Sequence, residues 1–176
     1  CADADDVNEL NVCDAIHDFI DATGQSRVEG DTTGGMGHRN VCRNNDAPEA
    51  VYLVTVREPI RRLRVDTRGS SFDTLLAIWR VCEDPESEIA CNDDISFRER
   101  VSEITLETPS PGDYFILVDG HGNSSGRYVL NINGDLEAGE TCQPGSWIGC
   151  GAGGVCRNGV CEFSACADAM DNDDDG

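Results

Sequence analysis

The chain has 176 residues, ten cysteines and a formal net charge of −21, and all its basic residues are arginines. A negative charge of this size repels phosphate backbones, which argues against a nucleic-acid partner, and it suits divalent cations. No apolar run approaches the roughly 20 residues that cross a bilayer, so the sequence contains no transmembrane segment.

The cysteines indicate the compartment. Their number is even, as a fully paired disulfide framework requires, and such chains belong outside the reducing cytosol. Structural zinc is the alternative, but the cysteines do not form close C-x-x-C pairs. The three histidines (His17, His38 and His121) have no ligand spacing with them either. We therefore predict an extracellular or outer-surface location.

The first half of the chain predicts one ambiguous segment and then a series of strands. Residues 13–22 fit a short amphipathic helix or an edge strand, and their periodicity does not decide between the two. Residues 50–56 (AVYLVTV) predict a buried strand. Residues 60–67 alternate between apolar and charged side chains, and residues 73–81 form the near-continuous apolar run that is typical of a central strand.

The second half continues the pattern. Residues 87–91 and 101–107 predict two more strands. Residues 112–119 and 126–133 flank a turn and predict a hairpin, with three side chains facing the core: Tyr128, Leu130 and Ile132. Closely spaced strands without a long helix between them favour an all-β antiparallel sandwich over an α/β fold.

An oxygen-rich turn follows the predicted strand at 87–91. Asn92, Asp93 and Asp94 stand in a row there, and Asp73 or Asp119 would complete an oxygen cage for calcium if the fold brings them close. The alternative is an Asx turn, in which these side chains cap local backbone amides.

The C-terminal tail contains part of a second calcium pattern. Asp171, Asp173 and Asp175 alternate and are followed by Gly176, which matches the first half of a D-x-[DN]-x-[DN]-G loop. The bidentate glutamate expected at position 12 of the loop is absent. Such a half-site needs another segment or subunit to complete it, and the alternative is a disordered acidic tail.

The sequence does not predict catalytic residues. Residues 122–126 match G-x-S-x-G, but this serine lies between two predicted strands, whereas a nucleophile elbow needs a strand-to-helix turn. We therefore predict a protein that is not an enzyme. Trp147, in the cysteine-rich part of the chain, is a candidate exposed anchor for a ligand or a neighbouring subunit; the alternative is that it packs on its own disulfides.

Several segments resemble, in order, the bacterial pre-peptidase C-terminal (PPC) domain family: VEGDTTG, AVYLVTV, GSSFDTLLAIW, IACNDD and PGDYFILVDGHGNSSGRYVLNI. The resemblance implies a jelly-roll-like antiparallel β-sandwich over residues 7–134, without catalytic machinery, of the kind found beside secreted proteases or in surface proteins. Some relatives, such as bacterial collagen-binding domains, bind calcium and fibrous substrates. Residues 135–165 resemble a small disulfide-rich module, and residues 166–176 resemble the opening of an acidic calcium repeat of bacterial surface proteins.

Cysteine pairing follows partly from position and partly from resemblance. Cys82 and Cys91 bracket one turn and are expected to pair, which leaves Cys13 and Cys42 as the remaining pair near the sandwich. In the small module the resemblance alone implies two interlocked pairs, Cys142–Cys156 and Cys150–Cys161.

The two remaining cysteines, Cys1 and Cys166, each begin a Cys-Ala-Asp-Ala tetrapeptide. They would bond to each other within the chain, or bond between subunits head to tail, which builds open filaments. In the third alternative Cys1 carries a lipid and Cys166 pairs with residues beyond Gly176.

Together these features predict a secreted or surface structural and adhesive protein that self-assembles into an extracellular fibre and is stabilised by calcium. Its partners would be other copies of the chain or an extracellular polymer, either protein or polysaccharide. The alternative is a substrate-binding or targeting accessory domain of a secreted hydrolase, or a surface lipoprotein anchored through Cys1.

Overall fold

The structure is a computed structural model that describes residues 26–34, 47–81, 84–144 and 146–163, together with the backbone of residues 16–20. Within these ranges the chain forms twelve strands and a short 3-10 turn at Pro85–Ser87. The strands are β1 (Ile16–Ile20), β2 (Arg27–Asp31), β3 (Ala50–Val56), β4 (Arg62–Asp66), β5 (Thr74–Trp79), β6 (Glu88–Asn92), β7 (Glu103–Glu107), β8 (Gly112–Gly120), β9 (Arg127–Asp135), β10 (Ile148–Gly149), β11 (Gly154–Arg157) and β12 (Val160–Phe163).

The described strands form two five-stranded sheets and a two-stranded ribbon. The first sheet has the order β1-β3-β8-β5-β6, and the second has the order β10-β9-β4-β7 with β2 also paired to β9. Neighbouring strands are antiparallel except for the parallel pairs β1–β3 and β10–β9. Strands β11 and β12 make the ribbon. The predicted all-β, antiparallel fold class is confirmed.

The alternation of apolar residues sets which face of each strand is buried. In β4, Leu63 and Val65 are fully buried while Arg64 between them is exposed, because neighbouring side chains point to opposite faces. All six residues of β5 are buried, which explains its continuous apolar run. This strand lies inside the first sheet, although β8 rather than β5 occupies the middle position. The ambiguous segment at 13–22 contains β1, a strand at the edge of that sheet.

The predicted hairpin of residues 112–119 and 126–133 is wrong. Strand β8 pairs with β3 and β5 in the first sheet, whereas β9 pairs with β2, β4 and β10 in the second. Both strands already have a partner on each side, so the turn between them connects the two sheets. A Cβ atom on Gly120 would overlap the carbonyl oxygen of Ser124, so this tight crossing requires glycine. The core-facing side chains were predicted correctly, because Tyr128, Leu130 and Ile132 are buried.

The cysteine-rich segment packs on the end of the sandwich and shares its core. The amide of Gly134 in β9 donates to the carbonyl of Trp147 at 2.8 Å, and β10 extends the second sheet. Trp147 is only 2% exposed and belongs to the same apolar cluster as Leu63 and Leu130. The hypothesis of Trp147 as an exposed anchor is therefore wrong, because the strand pairing directs its indole into the core.

Two disulfides close the cysteine-rich segment among the described residues. Cys142 bonds to Cys156 and Cys150 bonds to Cys161, which are the pairs that the resemblance implied. Cys91 is also disulfide-bonded. Its expected partner Cys82 lies outside the described residues, as do four other cysteines discussed above: Cys1, Cys13, Cys42 and Cys166.

Candidate metal site at the ends of β5, β6 and β8

Three side chains with metal-ligand atoms meet at one end of the first sheet. Because β6, β5 and β8 are adjacent and antiparallel, the start of β5 lies beside the ends of β6 and β8. Asp73 immediately precedes β5, Asp93 follows β6 and His121 follows β8. One ligand atom from each of the three lies within 4.8 Å of the others. We call these three residues the Asp-Asp-His cluster.

Hydrogen bonds fix the geometry of the cluster. The Nδ1 atom of His121 lies 2.9 and 3.0 Å from the two carboxylate oxygens of Asp93. The backbone amide of His121 donates to the carbonyl of Asp73 at 2.9 Å. The side chains of Asp73 and Asp93 are 17% and 15% exposed, whereas that of His121 is 46% exposed. The cluster is therefore a partly buried site that opens to solvent on the histidine side.

The two carboxylate oxygens of Asp73 have different surroundings. Oδ2 accepts a hydrogen bond from the Arg100 guanidinium at 2.8 Å, and this bond together with the charge of Asp73 raises the pKa of Arg100. Oδ1 is buried and has no hydrogen-bond partner. A buried carboxylate oxygen without a partner is costly, and a bound cation would remove that cost.

A buried hydroxyl network supports the cluster from behind. Ser102 Oγ lies 2.6 Å from the carbonyl of Asp93 and 2.7 Å from that of Thr74. The hydroxyls of Thr67 and Thr74 are 2.6 Å apart, and the Thr67 hydroxyl accepts a hydrogen bond from the backbone amide of Ser102 at 2.8 Å. All three residues are fully buried. Because Thr67 and Ser102 flank strands of the second sheet, the network ties the two sheets together and holds the backbone of Asp93.

The structure brings together only part of the predicted oxygen cage. The side chain of Asn92 accepts a hydrogen bond from the backbone amide of Glu103 at 3.0 Å and donates one to the carbonyl of Asp94 at 3.3 Å. It therefore bonds backbone groups, but not as the Asx turn considered above, in which it would accept from the amide two residues further on. Asp94 is exposed, and Asp119 is fully buried opposite Leu75 with Gly120 donating to its Oδ1. None of these three belongs to the Asp-Asp-His cluster.

Sequence reasoning missed His121. His121 directly follows β8, at the same end of the sheet as Asp73 and Asp93. That proximity can be recognised only once the order of the strands in the sheet is known. The tail residues Asp171, Asp173 and Asp175 lie outside the described residues.

The sulfur atoms of Cys142, Cys150 and Cys161 also lie close together. All three are in disulfides, so they offer no thiolate, which is the form of cysteine that binds metal. The buried sulfurs stabilise the core and do not form a zinc site.

The donor atoms of the Asp-Asp-His cluster suit a divalent cation of the zinc type. Zinc takes histidine nitrogen and carboxylate oxygen and completes four ligands with one more group, whereas calcium takes six to eight oxygens. Three described ligands, one of them an imidazole, therefore fit zinc better than calcium. Calcium at this site would need more oxygens from water or from other segments.

Two of the solved structures that match this chain are the following. The pre-peptidase C-terminal domain of a collagenase from Bacillus anthracis has a TM-score of 0.46 and 15% identity over 66% of this chain and 95% of that chain. PliG from Aeromonas hydrophila, a periplasmic inhibitor of g-type lysozyme, has a TM-score of 0.39 and 14% identity. The match covers 65% of this chain and 96% of that chain. No protein-family model and no curated protein matches the chain. The first of these structures belongs to the family that the sequence resembles.

Two further observations concern the surroundings of the protein. The disulfides of the cysteine-rich segment are typical of a chain that folds in an oxidising compartment. In the parts of the chain that the structure describes, there is no helix with the length and apolar character needed to cross a membrane.

Proposed function

We propose that this protein is a non-enzymatic extracellular module with a structural or adhesive role, and that it binds a divalent cation at the Asp-Asp-His cluster. The observation that carries the proposal is the buried Oδ1 of Asp73, which has no hydrogen-bond partner, on a residue whose carboxylate comes within 4.8 Å of ligand atoms of Asp93 and His121. A cation there would join the ends of three strands, so its role would be to rigidify one end of the sandwich.

The surroundings of the histidine favour this role over catalysis. His121 is the histidine whose side chain the structure describes, and its Nδ1 faces the carboxylate of Asp93 rather than a hydroxyl or a thiol. A nucleophilic site would need the imidazole within reach of such a group. The disulfides and the shared core make a rigid scaffold, which suits a protein that carries load or displays a surface.

The adhesive and fibre-forming parts of the proposal extend the sequence-based hypothesis. Its partners would be further copies of the chain or an extracellular polymer. Calcium stays a candidate ion because the chain is strongly acidic, and the imidazole adds zinc as the better-fitting one.

Isothermal titration of the oxidised, chelator-treated chain with zinc and with calcium, separately, tests the cation proposal. We expect one zinc ion per chain at the cluster and weaker calcium binding there. Asp93→Asn should lower zinc affinity by about tenfold or more, because it removes a ligand charge. Asp113→Asn is the matched control, since Asp113 is an exposed aspartate whose Oδ1 accepts a hydrogen bond from Thr55 away from the cluster.

The same titration tests a second variant, which changes the surroundings of the ligands. Ser102→Ala leaves all three ligands in place but removes the hydroxyl beside the Asp93 carbonyl, so it should weaken binding less than Asp93→Asn does. Equal zinc affinity for the wild type and Asp93→Asn would refute the cluster as the binding site.

A further inference from the structure

Sulfur atoms from two separate disulfides meet in the core beneath the ribbon of β11 and β12. One bridge joins Cys142 to Cys156, and the other joins Cys150 to Cys161. The Sγ atoms of Cys142, Cys150 and Cys161 all lie within 4.8 Å of one another. One sulfur of the first bridge therefore lies beside both sulfurs of the second. Thiol–disulfide exchange requires this closeness, because a thiolate must reach a disulfide sulfur to attack it.

The four cysteines differ in their access to solvent. Cys142, Cys150 and Cys161 are 3%, 6% and 2% exposed, whereas Cys156 is half-buried. In the part of the chain that the structure describes, β11 pairs with β12 alone, so the edge of the ribbon beside Cys156 carries no further strand. A small thiol in solution therefore reaches Cys156 before the other three.

The ribbon places Cys156 directly opposite Cys161, its partner in the β11–β12 register. The amide of Cys161 donates to the carbonyl of Glu140, and its carbonyl accepts from the amide of Gly139, both at 2.9 Å. The backbone groups of Cys161 thus point away from β11. The two cysteines form a non-hydrogen-bonded pair, in which Cα atoms lie about 4.5 Å apart. Disulfides join Cα atoms about 4.4–6.8 Å apart, so the ribbon backbone also permits a Cys156–Cys161 bridge.

We propose that Cys156 is the site at which small-molecule thiols attack this protein, and that the attack rearranges both bridges into Cys142–Cys150 and Cys156–Cys161. First, a thiolate bonds to Cys156 Sγ, the bond to Cys142 breaks, and its electron pair stays on Cys142. The Cys142 thiolate then bonds to Cys150 and displaces Cys161 as a thiolate. Finally, the Cys161 thiolate bonds to Cys156 and expels the original thiol. Each step forms one S–S bond and breaks one, so no oxidant or reductant is consumed.

The register of the ribbon determines which sulfur Cys142 attacks productively. Attack on Cys150 frees Cys161, which already faces Cys156 and closes the cycle. Attack on Cys161 would instead free Cys150, which precedes the ribbon and has no place opposite Cys156. The cycle therefore leads to one new pairing.

The rearrangement changes what holds the ribbon to the sandwich. The bridges in the structure join each ribbon strand to a residue that precedes the ribbon, either Cys142 or Cys150. In the rearranged form one bridge lies within the ribbon and the other within the preceding segment. Hydrogen bonds and packing alone would then hold the ribbon, so a thiol loosens it. This inference does not depend on the cation site.

Disulfide mapping of the wild type tests the proposal. The oxidised chain is incubated at about pH 8, where a thiol is partly ionised, with 2-mercaptoethanol. A neutral thiol is chosen because a net charge of −21 repels anionic ones. After alkylation with iodoacetamide, chymotrypsin, elastase and trypsin cut after Trp147, Ala152 and Arg157, which puts the four cysteines on separate peptides.

Mass spectrometry then distinguishes the pairings. We expect a mercaptoethanol adduct on Cys156 first, followed by linked peptides that contain Cys142 with Cys150 and Cys156 with Cys161. Three outcomes would overturn the proposal: recovery of the original pairs alone, a first adduct on another of the four cysteines, or the third pairing, Cys142–Cys161 with Cys150–Cys156.

A variant isolates the internal step without any added thiol. Cys156→Ser leaves Cys142 as a thiol beside the second bridge, so part of the protein should map with Cys142 linked to Cys150 and with Cys161 alkylated. Alkylation of Cys142 alone would contradict the internal attack. Val155→Ser is the matched control, because Val155 precedes Cys156 and is 50% exposed. This control keeps all four cysteines and should map as the wild type does.

Discussion

Replacing Gly134 by alanine should destabilise the whole protein, because this glycine lies where the cysteine-rich segment meets the sandwich. A Cβ atom there would lie 3.0 Å from Ile148 Cγ1, 3.2 Å from Trp147 Cζ3 and 3.4 Å from Ile60 Cδ1. All three neighbours pack in the shared core, so none moves aside without cost. Gly149, in the neighbouring strand β10, has no atom within 4 Å of its Cβ position and is the matched control.

The magnitude follows from two opposing terms. Overpacking of this kind costs about 1–3 kcal/mol, and alanine in a strand gains about 0.5–1 kcal/mol over glycine. Gly134→Ala should therefore lose between about 0 and 2.5 kcal/mol, whereas Gly149→Ala should gain up to about 0.5–1 kcal/mol. A difference of about 2 kcal/mol between the variants corresponds to about 4–8 °C in melting temperature for a chain of this size.

Differential scanning calorimetry of the oxidised variants measures this difference. We expect one cooperative transition in each, with Gly134→Ala melting lower. Equal melting temperatures for the two variants would refute the packing of Trp147 against β9. Two separate transitions in the wild type would refute the shared core.

Three further predictions concern stability. Replacing both Cys150 and Cys161 by alanine should lower the free energy of unfolding by about 3 kcal/mol, because the bridge closes a loop with a sequence separation of 11; urea denaturation measures it, and an unchanged midpoint would contradict it. Thr67→Val should cost about 1–3 kcal/mol in the same assay, since the buried Ser102 amide loses its acceptor; no loss would show that the network is dispensable. Burial raises the pKa of Tyr114 above its usual 10.0. The stability that the neutral phenol contributes is therefore present below pH 10.0 and is lost as the pH rises further. Tyr114→Phe should make the alkaline fall in melting temperature less steep, and an equally steep fall would contradict this.

The strands were predictable because local alternation determines them. The run AVYLVTV and the alternation around Leu63 each match a strand of the structure. The pairing of β8 with β9 was not predictable from the turn between them. A glycine- and asparagine-rich turn suits a hairpin and a crossing between sheets equally well, and the choice depends on which strand edges are already occupied.

The candidate site could be predicted only in part. Asp73 and Asp93 were identified as acidic residues at strand ends, but the grouping of ligands depends on strand order, which a single sequence does not display. His121 was missed for this reason. Trp147 was misjudged because the parallel pairing of β10 with β9, which buries its indole, involves only two residues of β10 and has no sequence signature.

The turn between β6 and β7 is joined to the cation site through Arg100, whose guanidinium binds Asp73 and whose carbonyl accepts a hydrogen bond from the amide of Thr74 at 3.1 Å. The most direct test of self-assembly is light scattering of the oxidised wild type, with zinc or calcium added and then removed by a chelator. We predict assemblies that grow with protein concentration and shrink on chelation. A monomer of unchanged mass under all these conditions would contradict a structural role that depends on self-assembly.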